Sequence, residues 1–257
     1  MKLRPVRRGS SPQAKDYEDY KNAKTDLISR IGSGWLDGEQ IAAYCSFCER
    51  KIDTMLAVEH IEPKDGPFGK PALIGRWSNF LLACVNCNST KSAKKVVFAD
   101  LYLPDRDNTF TAFQYLVDGN IVPHPSLNTH QQNIAHSTLA LVGLDKRMGS
   151  TADEQGRLIA EDRASQRMQM FGIAEIALAL LQQNSNNEAV KQLIVFNAVT
   201  GGFFSVWMTV FSHEVEMRQR FIDAFAGTRA SGCFAPLTEA IVSPAPNPDG
   251  LLNGGKL

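Results

Sequence analysis

Two Cys-x-x-Cys pairs constrain this chain more than any other feature. Cys45-Ser-Phe-Cys48 and Cys84-Val-Asn-Cys87 stand thirty-five residues apart, and a fifth cysteine, Cys233, is solitary. Paired knuckles of this kind in a cytosolic chain read as a zinc site rather than a disulfide framework. Four thiolates suit the tetrahedral preference of Zn²⁺, and a two-residue spacer lets both sulfurs of a knuckle face one ion. Two redox pairs, or unrelated cysteines filling a core, are the alternatives. Cys233 is expected as a buried or semi-buried free thiol.

The 257 residues suffice for one large domain or two small ones, and 44% are hydrophobic. Basic and acidic residues balance at 27 each. That excludes a histone-like or polybasic protein, so any grip on nucleic acid must be local. The longest apolar runs, Ile173–Leu181 and Val206–Phe211, are too short to span a membrane, and the basic N-terminus lacks the apolar stretch of a secretory leader. A soluble, cytoplasmic protein is expected.

The fold class expected is α+β: a small zinc-stapled core embedded in a mostly helical protein. Residues 1–40 read as a basic arm (1–15), flexible or laid on the surface, then a helix over Tyr17–Ile31 stopped by Gly32-Ser-Gly34. Gly38–Tyr44 reads as a short helix. Within 41–100 the order is strand (Thr54–Val58), Pro/Gly-rich loop (Pro63–Gly75), strand (Phe80–Ala83), knuckle and helix (Cys87–Lys94). Tyr115–Val122 is a β element turning at Asp118-Gly119-Asn120. Residues 101–242 are mainly helical, with segments at 129–148, 152–183, 186–199 and 203–226 bounded by Gly149-Ser150, Asn184–Asn187 and Gly201-Gly202. Ile173, Ile176, Leu180, Phe203, Val206, Trp207 and Val210 recur at helical spacing and are assigned to the core. Residues 243–257, rich in Pro, Asn and Gly, are expected to be disordered.

Between the knuckles lies Val58-Glu59-His60-Ile61-Glu62-Pro63-Lys64, followed by Trp77-Ser-Asn79-Phe-Leu-Leu-Ala-Cys84-Val-Asn-Cys87-Asn88-Ser-Thr-Lys91. A Glu-His pair alone says little. Here it closes a strand inside a zinc-pinned segment, with two asparagines near the second knuckle. A neutral imidazole can take a proton from water near pH 7, and a carboxylate with an amide oxygen makes a hard ligand pair suited to Mg²⁺ or Mn²⁺. Four thiolates leave zinc no open position, so that ion is structural. Lys91, Lys94 and Lys95 fall at helical spacing and read as a cationic stripe contacting phosphate, with Lys64, Lys70 and Arg76 adding to it. Trp77 reads as a loop anchor. His124, His130, His136 and His213 form no convincing ligand set.

Over Cys45–Lys95 this pattern resembles the HNH nuclease family, in its four-cysteine branch with a ββα-metal core. The resemblance implies His60 as general base, Glu59 and Asn88 as ligands of one catalytic Mg²⁺ or Mn²⁺, and Asn79 as brace of the loop under the histidine. Glu59 departs from the more usual Asp. A looser resemblance spans most of the chain: Lys-Leu-Arg-Pro-Val at the start, Asp118-Gly-Asn-Ile-Val-Pro123, Leu139-Ala-Leu-Val-Gly-Leu-Asp145-Lys-Arg147 and Phe225-Ala-Gly-Thr228 are similar to small HNH proteins of bacterial anti-phage operons. It implies an effector of a Septu- or retron-linked defence system, cutting DNA by preference or a structured RNA such as tRNA. The partners implied are an ABC/SMC-like ATPase from the same operon, docked on the helical region, and a retron reverse transcriptase with its DNA. A non-catalytic zinc-stabilised binding module and a stand-alone restriction-type nuclease are the competing readings.

Overall fold

The computed structural model describes residues 3–146, 161–236, 238 and 240–257, with backbone alone at 161 and 162. Among them, three two-stranded antiparallel pairs are threaded through eight helices, an α+β arrangement. No helix among the described residues is long and apolar enough to cross a membrane.

The chain enters buried. Leu3, Arg4, Val6, Arg7 and Arg8 are all under 5% exposed, which corrects the expectation of a flexible or surface-laid arm. The basic side chains find internal acceptors instead of solvent, as buried charge requires. Arg4 donates to the carbonyls of Ile31 (2.7 Å) and Ala226 (2.6 Å), and Arg8 to Ser78 O (2.9 Å) and Asp105 (2.8 Å).

An irregular helical stretch follows: a turn at Tyr20–Ala23 capped by the Asp19 side chain, α1 (Lys24–Leu27), and a wider turn at Ile28–Gly32. It starts three residues later than the spacing suggested and stops at Gly32. β1 (Ser33–Leu36) and β2 (Glu39–Ala43) form a hairpin, so the expected helix at Gly38–Tyr44 is a strand. Asp37 and Gly38 both have positive φ (52° and 84°), the two-residue turn that matches strand twist.

β3 (Ala57–His60) begins beyond Met55, whose φ of 59° breaks the apolar run that had suggested a strand from Thr54. It pairs with β4 (Phe80–Ala83) in the register Ala57↔Ala83 to His60↔Phe80, and α2 (Val85–Lys91) follows directly. That is the expected strand–loop–strand–helix order. After α3 (Thr109–Ala112), β5 (Phe113–Tyr115) and β6 (Ile121–Pro123) close around Asp118-Gly119-Asn120, as expected.

The remaining helices are α4 (Thr129–Val142), α5 (Glu161–Gln183), α6 (Glu188–Gly201), α7 (Phe204–Val210) and α8 (Val215–Ala224). Asn128 and Gln131 form a capping box on α4, and Gly143 at φ 66° ends it short of residue 148. The expected break at Gly149-Ser150 and the start of a helix at 152 lie outside the described residues. The segment expected as one helix over 203–226 folds back at residues 211–214. This lets Trp207 and Phe211 pack against Phe221, with ring centroids 5.7 and 5.3 Å away.

Phe203, Val206 and Trp207 are buried as expected. Ile173, Ile176 and Leu180 are not: at 43%, 73% and 37% exposure they line an apolar groove with Leu193 on α6. Their helical spacing is real, but the stripe faces outward. The C-terminal residues are a further correction. Segment 243–257 lacks helix and strand yet is tied down: Gly255 N donates to Arg106 O (2.8 Å) and Lys256 pairs with buried Asp107 (3.0 Å). Cys233 is buried and free, as expected.

Candidate active site

The ββα unit owes its geometry to sulfur. Cys45 and Cys48 sit in the turn after Tyr44, where Glu49 N donates back to Cys45 O (3.0 Å). Cys84 caps α2 and Cys87 lies in its first turn. The four Sγ atoms are buried, lie within 4.8 Å of one another, and form no disulfide. A tetrahedral zinc–thiolate site with bonds of about 2.3 Å requires sulfurs about 3.8 Å apart. Cys48 and Cys84 are 3.8 Å apart. The donor set therefore fits a closed zinc centre, and it anchors the start of α2 beneath the strand pair.

His60 ends β3 and is 7% exposed. Its ring meets Phe80 and Tyr20 edge-on, with centroids 5.3 and 4.7 Å away. Nε2 lies 2.9 Å from Ile74 O. A carbonyl can only accept, so Nε2 carries the proton and Nδ1 keeps a free lone pair. Burial pushes the imidazole pKa below its ordinary value, and the charges of Lys64 and Lys91 act in the same sense against the opposing pull of the Ile74 carbonyl. The ring is neutral near pH 7, the state a base needs.

Asn79 is tied to both backbone groups of Glu62: Oδ1 accepts from its N–H (2.8 Å) and Nδ2 donates to its carbonyl (3.0 Å). The loop leaving His60 is thereby clamped to the entry of β4. Trp77 anchors the same loop by donating to Gly9 O (2.9 Å).

Glu59 points inward, 2% exposed, with Oε1 2.9 Å from Lys91 Nζ. Burial raises its carboxyl pKa while the Lys91 ammonium pulls it down. Lys91 is 1% exposed and also donates to His60 O (2.7 Å). The expected cationic stripe is therefore absent. α2 ends at Lys91, with Ser92 at φ 46°, so helical spacing cannot carry on to Lys94 and Lys95. Lys91 stands inside as the counter-ion of Glu59, not at the surface as a phosphate contact. Lys94 donates to the Ala140 and Leu141 carbonyls at the end of α4. Of the loop cations, Lys64 reaches the site, whereas Arg76 pairs with Asp16 (3.0 Å) and borders a different depression.

Glu59, His60, Asn88 and Lys91 share one cleft of about 400 Å³. Its opposite wall is unexpected: Tyr20, Lys21 and Lys24 come from the N-terminal helical stretch. Arg163 on α5 was also missed. It donates to Cys87 Sγ (3.4 Å) and Gly143 O (2.8 Å), joining the cysteine cluster to the end of α4. Neither lies in a motif. The Ile74 carbonyl that orients His60 leaves no trace in the sequence, because any residue supplies a carbonyl.

Comparison with known proteins converges on the same segment. Residues 45–94 match the sequence model of the HNH endonuclease family. Over 149 residues the chain is 28% identical to a protein of Vibrio cholerae serotype O1 biovar El Tor described as a candidate HNH endonuclease of retron Vc95, covering 54% of this chain and 68% of that one. The cysteine cluster, the strand pair ending in His60, the helix that follows and the family match all fall together, so this protein is a nuclease built on an HNH endonuclease domain at residues 45–94.

Proposed function

We propose that the protein hydrolyses nucleic-acid phosphodiester bonds, DNA in preference to structured RNA, with His60 as general base and a divalent Mg²⁺ or Mn²⁺ held by Glu59 and Asn88. The observation that carries this reading is the His60 environment. A ring locked by Ile74 O through Nε2 presents Nδ1 as the base, in a cleft shared with a carboxylate and an amide. His60 Nδ1 takes the proton of a water, which attacks the phosphorus in line with the departing 3′ oxygen. Products carry 5′-phosphate and 3′-hydroxyl ends. A divalent ion, when bound, neutralises charge on the phosphate and the leaving oxygen. Lys91 holds one oxygen of Glu59, and the other faces the role of ligand together with the Asn88 amide. Asn79 keeps the His60 loop in place through Glu62.

The wider role follows from the relative, whose name sets it in a retron. On this reading the protein is the cytoplasmic effector of an anti-phage system. An ABC/SMC-like ATPase from the same operon gates it, with a retron reverse transcriptase and its DNA as further partners. Zero net charge supports the gating idea, because sequence-independent affinity for nucleic acid rests on phosphate neutralisation. The outward apolar stripe on α5 and α6 supports docking of the ATPase on the helical region, since a large exposed apolar patch marks an interaction surface.

The deciding assay follows plasmid DNA and total tRNA with Mg²⁺ or Mn²⁺, for wild type and His60→Ala, each with and without the neighbouring gene product. DNA cleavage by wild type that His60→Ala abolishes is expected, strongest with the partner. Equal behaviour of the two proteins in every condition overturns the catalytic assignment.

A further inference from the structure

The wall of the cleft opposite Glu59 and His60 comes from residues that precede the nuclease domain. Tyr20 lies edge-on to the His60 ring, its centroid 4.7 Å away at 71°, which places the first helical turn across the mouth of the site. Lys21 and Lys24 border the cleft from that turn and are exposed. Residues three apart share a helix face, with Cβ atoms about 5–6 Å apart. Lys64 approaches from the other side, its Nζ 3.3 Å from Tyr20 Oη and 4.9 Å from the ring centroid.

The charge balance of this lining is lopsided. Glu59 and Lys91 neutralise each other in a buried pair. That leaves Lys21, Lys24 and Lys64 facing Asp65 as the opposing acid of the lining. Glu18, Asp19 and Asp26 of the same stretch lie outside this lining, Asp19 capping the turn through Lys21 N (2.9 Å) and Asp26 accepting from Tyr17 Oη (2.6 Å). In a chain whose charges sum to zero, a positive rim at this one cleft is a concentration of charge where a polyanion must enter.

We infer that Lys21, Lys24 and Lys64 bind backbone phosphates of a DNA strand crossing the cleft, making the N-terminal helical turn a substrate-binding element outside the family domain. This rests on the nuclease reading above. The contacts are to phosphate, so they set position and affinity without reading sequence. Tyr20 keeps the turn seated on the imidazole, so a strand held by the lysines passes over His60.

The test uses the full zinc-loaded chain carrying His60→Ala, which binds without cutting. Its affinity for a mixed-sequence DNA duplex is measured by fluorescence anisotropy across salt concentrations. Adding Lys21→Ala and Lys24→Ala should flatten the dependence of log K on log salt by about two, and Lys64→Ala by about one more. Lys15→Ala, exposed and away from the cleft, should leave the slope unchanged. Thermal melts of the Lys15, Lys21 and Lys24 variants should coincide with that of the parent, because these side chains project into solvent. An unaltered slope in the double variant, with DNA still bound, overturns the inference and leaves the nuclease reading intact. If wild type neither cuts nor binds DNA even at low salt and with the neighbouring gene product present, both fall.

Discussion

The nuclease segment and the α5–α6 helix pair break the usual rule of burial in opposite directions. The first buries what proteins normally keep in contact with water: Glu59, His60 and Lys91 lie at 7% exposure or less, around four buried thiols. The second exposes what proteins normally bury, with Ile173, Ile176, Leu180, Leu193 and Phe196 each at least 37% exposed. Each departure costs stability unless something compensates it. In the nuclease segment the compensation is internal: the carboxylate has its ammonium, the imidazole its carbonyl, and the sulfurs a geometry that fits zinc. On α5 and α6 nothing within the described chain covers the stripe. On the proposed function, the buried Glu59, His60 and Lys91 mark the site of chemistry, and the uncovered stripe marks a docking surface.

The sharpest way to break the comparison is to remove the internal compensation at the sulfurs. Cys84→Ser, or a strong zinc chelator, should abolish the ordered ββα unit while α6, α7 and α8 keep their helicity. Metal binding supplies on the order of 10 kcal/mol to small zinc-folded units, more than so short a segment gains from its own core. Hydrogen exchange over residues 45–94 reports it, with elemental analysis expected to find one zinc per wild-type chain. Full protection surviving metal removal would show that the segment stands on hydrophobic packing alone. Replacing His60 with Ala acts on chemistry instead. General-base removal should lower the cleavage rate by about 10²–10⁴-fold with zinc content unchanged.

Lys91 sharpens the contrast because its two readings predict different measurements. As a buried counter-ion it holds Glu59 charged in the interior, and Lys91→Met strands that carboxylate. Breaking one half of a buried pair costs about 3–5 kcal/mol, whereas replacing both partners by uncharged groups is often close to neutral. Lys91→Met should therefore melt well below wild type, and adding Glu59→Gln should recover much of the loss. A surface phosphate contact would show the reverse: unchanged melting and weaker substrate binding.

What could be read from the sequence follows the same division. The grouping of Cys45, Cys48, Cys84 and Cys87, the shared cleft of Glu59, His60 and Asn88, and the clamp at Asn79 were legible because the chemistry proposed for them demands particular side chains at fixed spacing. The strand–loop–strand–helix order came with them. Lys91 was found but misplaced, since spacing alone does not say that α2 stops there and turns the lysine inward. Arg4, Arg7 and Arg8 were illegible for a related reason. A basic run reads as solvated unless one knows that the Ile31, Ala226 and Ser78 carbonyls wait inside. Periodicity found the stripe Ile173, Ile176, Leu180 but could not tell an inward face from an outward one. The C-terminal segment, poor in apolar residues, is held by Asp107 and Arg106, partners remote in sequence.

The smallest effect on the isolated chain tests the other half of the comparison. Ile176 is 73% exposed, so Ile176→Asp removes little packing and should shift stability by no more than about 0.5 kcal/mol. Trp207, wholly buried on α7, sets the scale: Trp207→Ala should cost about 3–5 kcal/mol. With the ATPase present the order reverses in importance. An aspartate in a groove lined by Ile173, Leu180 and Leu193 forces a desolvated charge into any apolar contact made there. Copurification of the two gene products should then be lost while the lone nuclease melts like wild type. Retained complex formation would separate the two halves of the argument: the stripe would be surface tolerated by a stable helix pair, and the exposed apolar residues would no longer mark the partner.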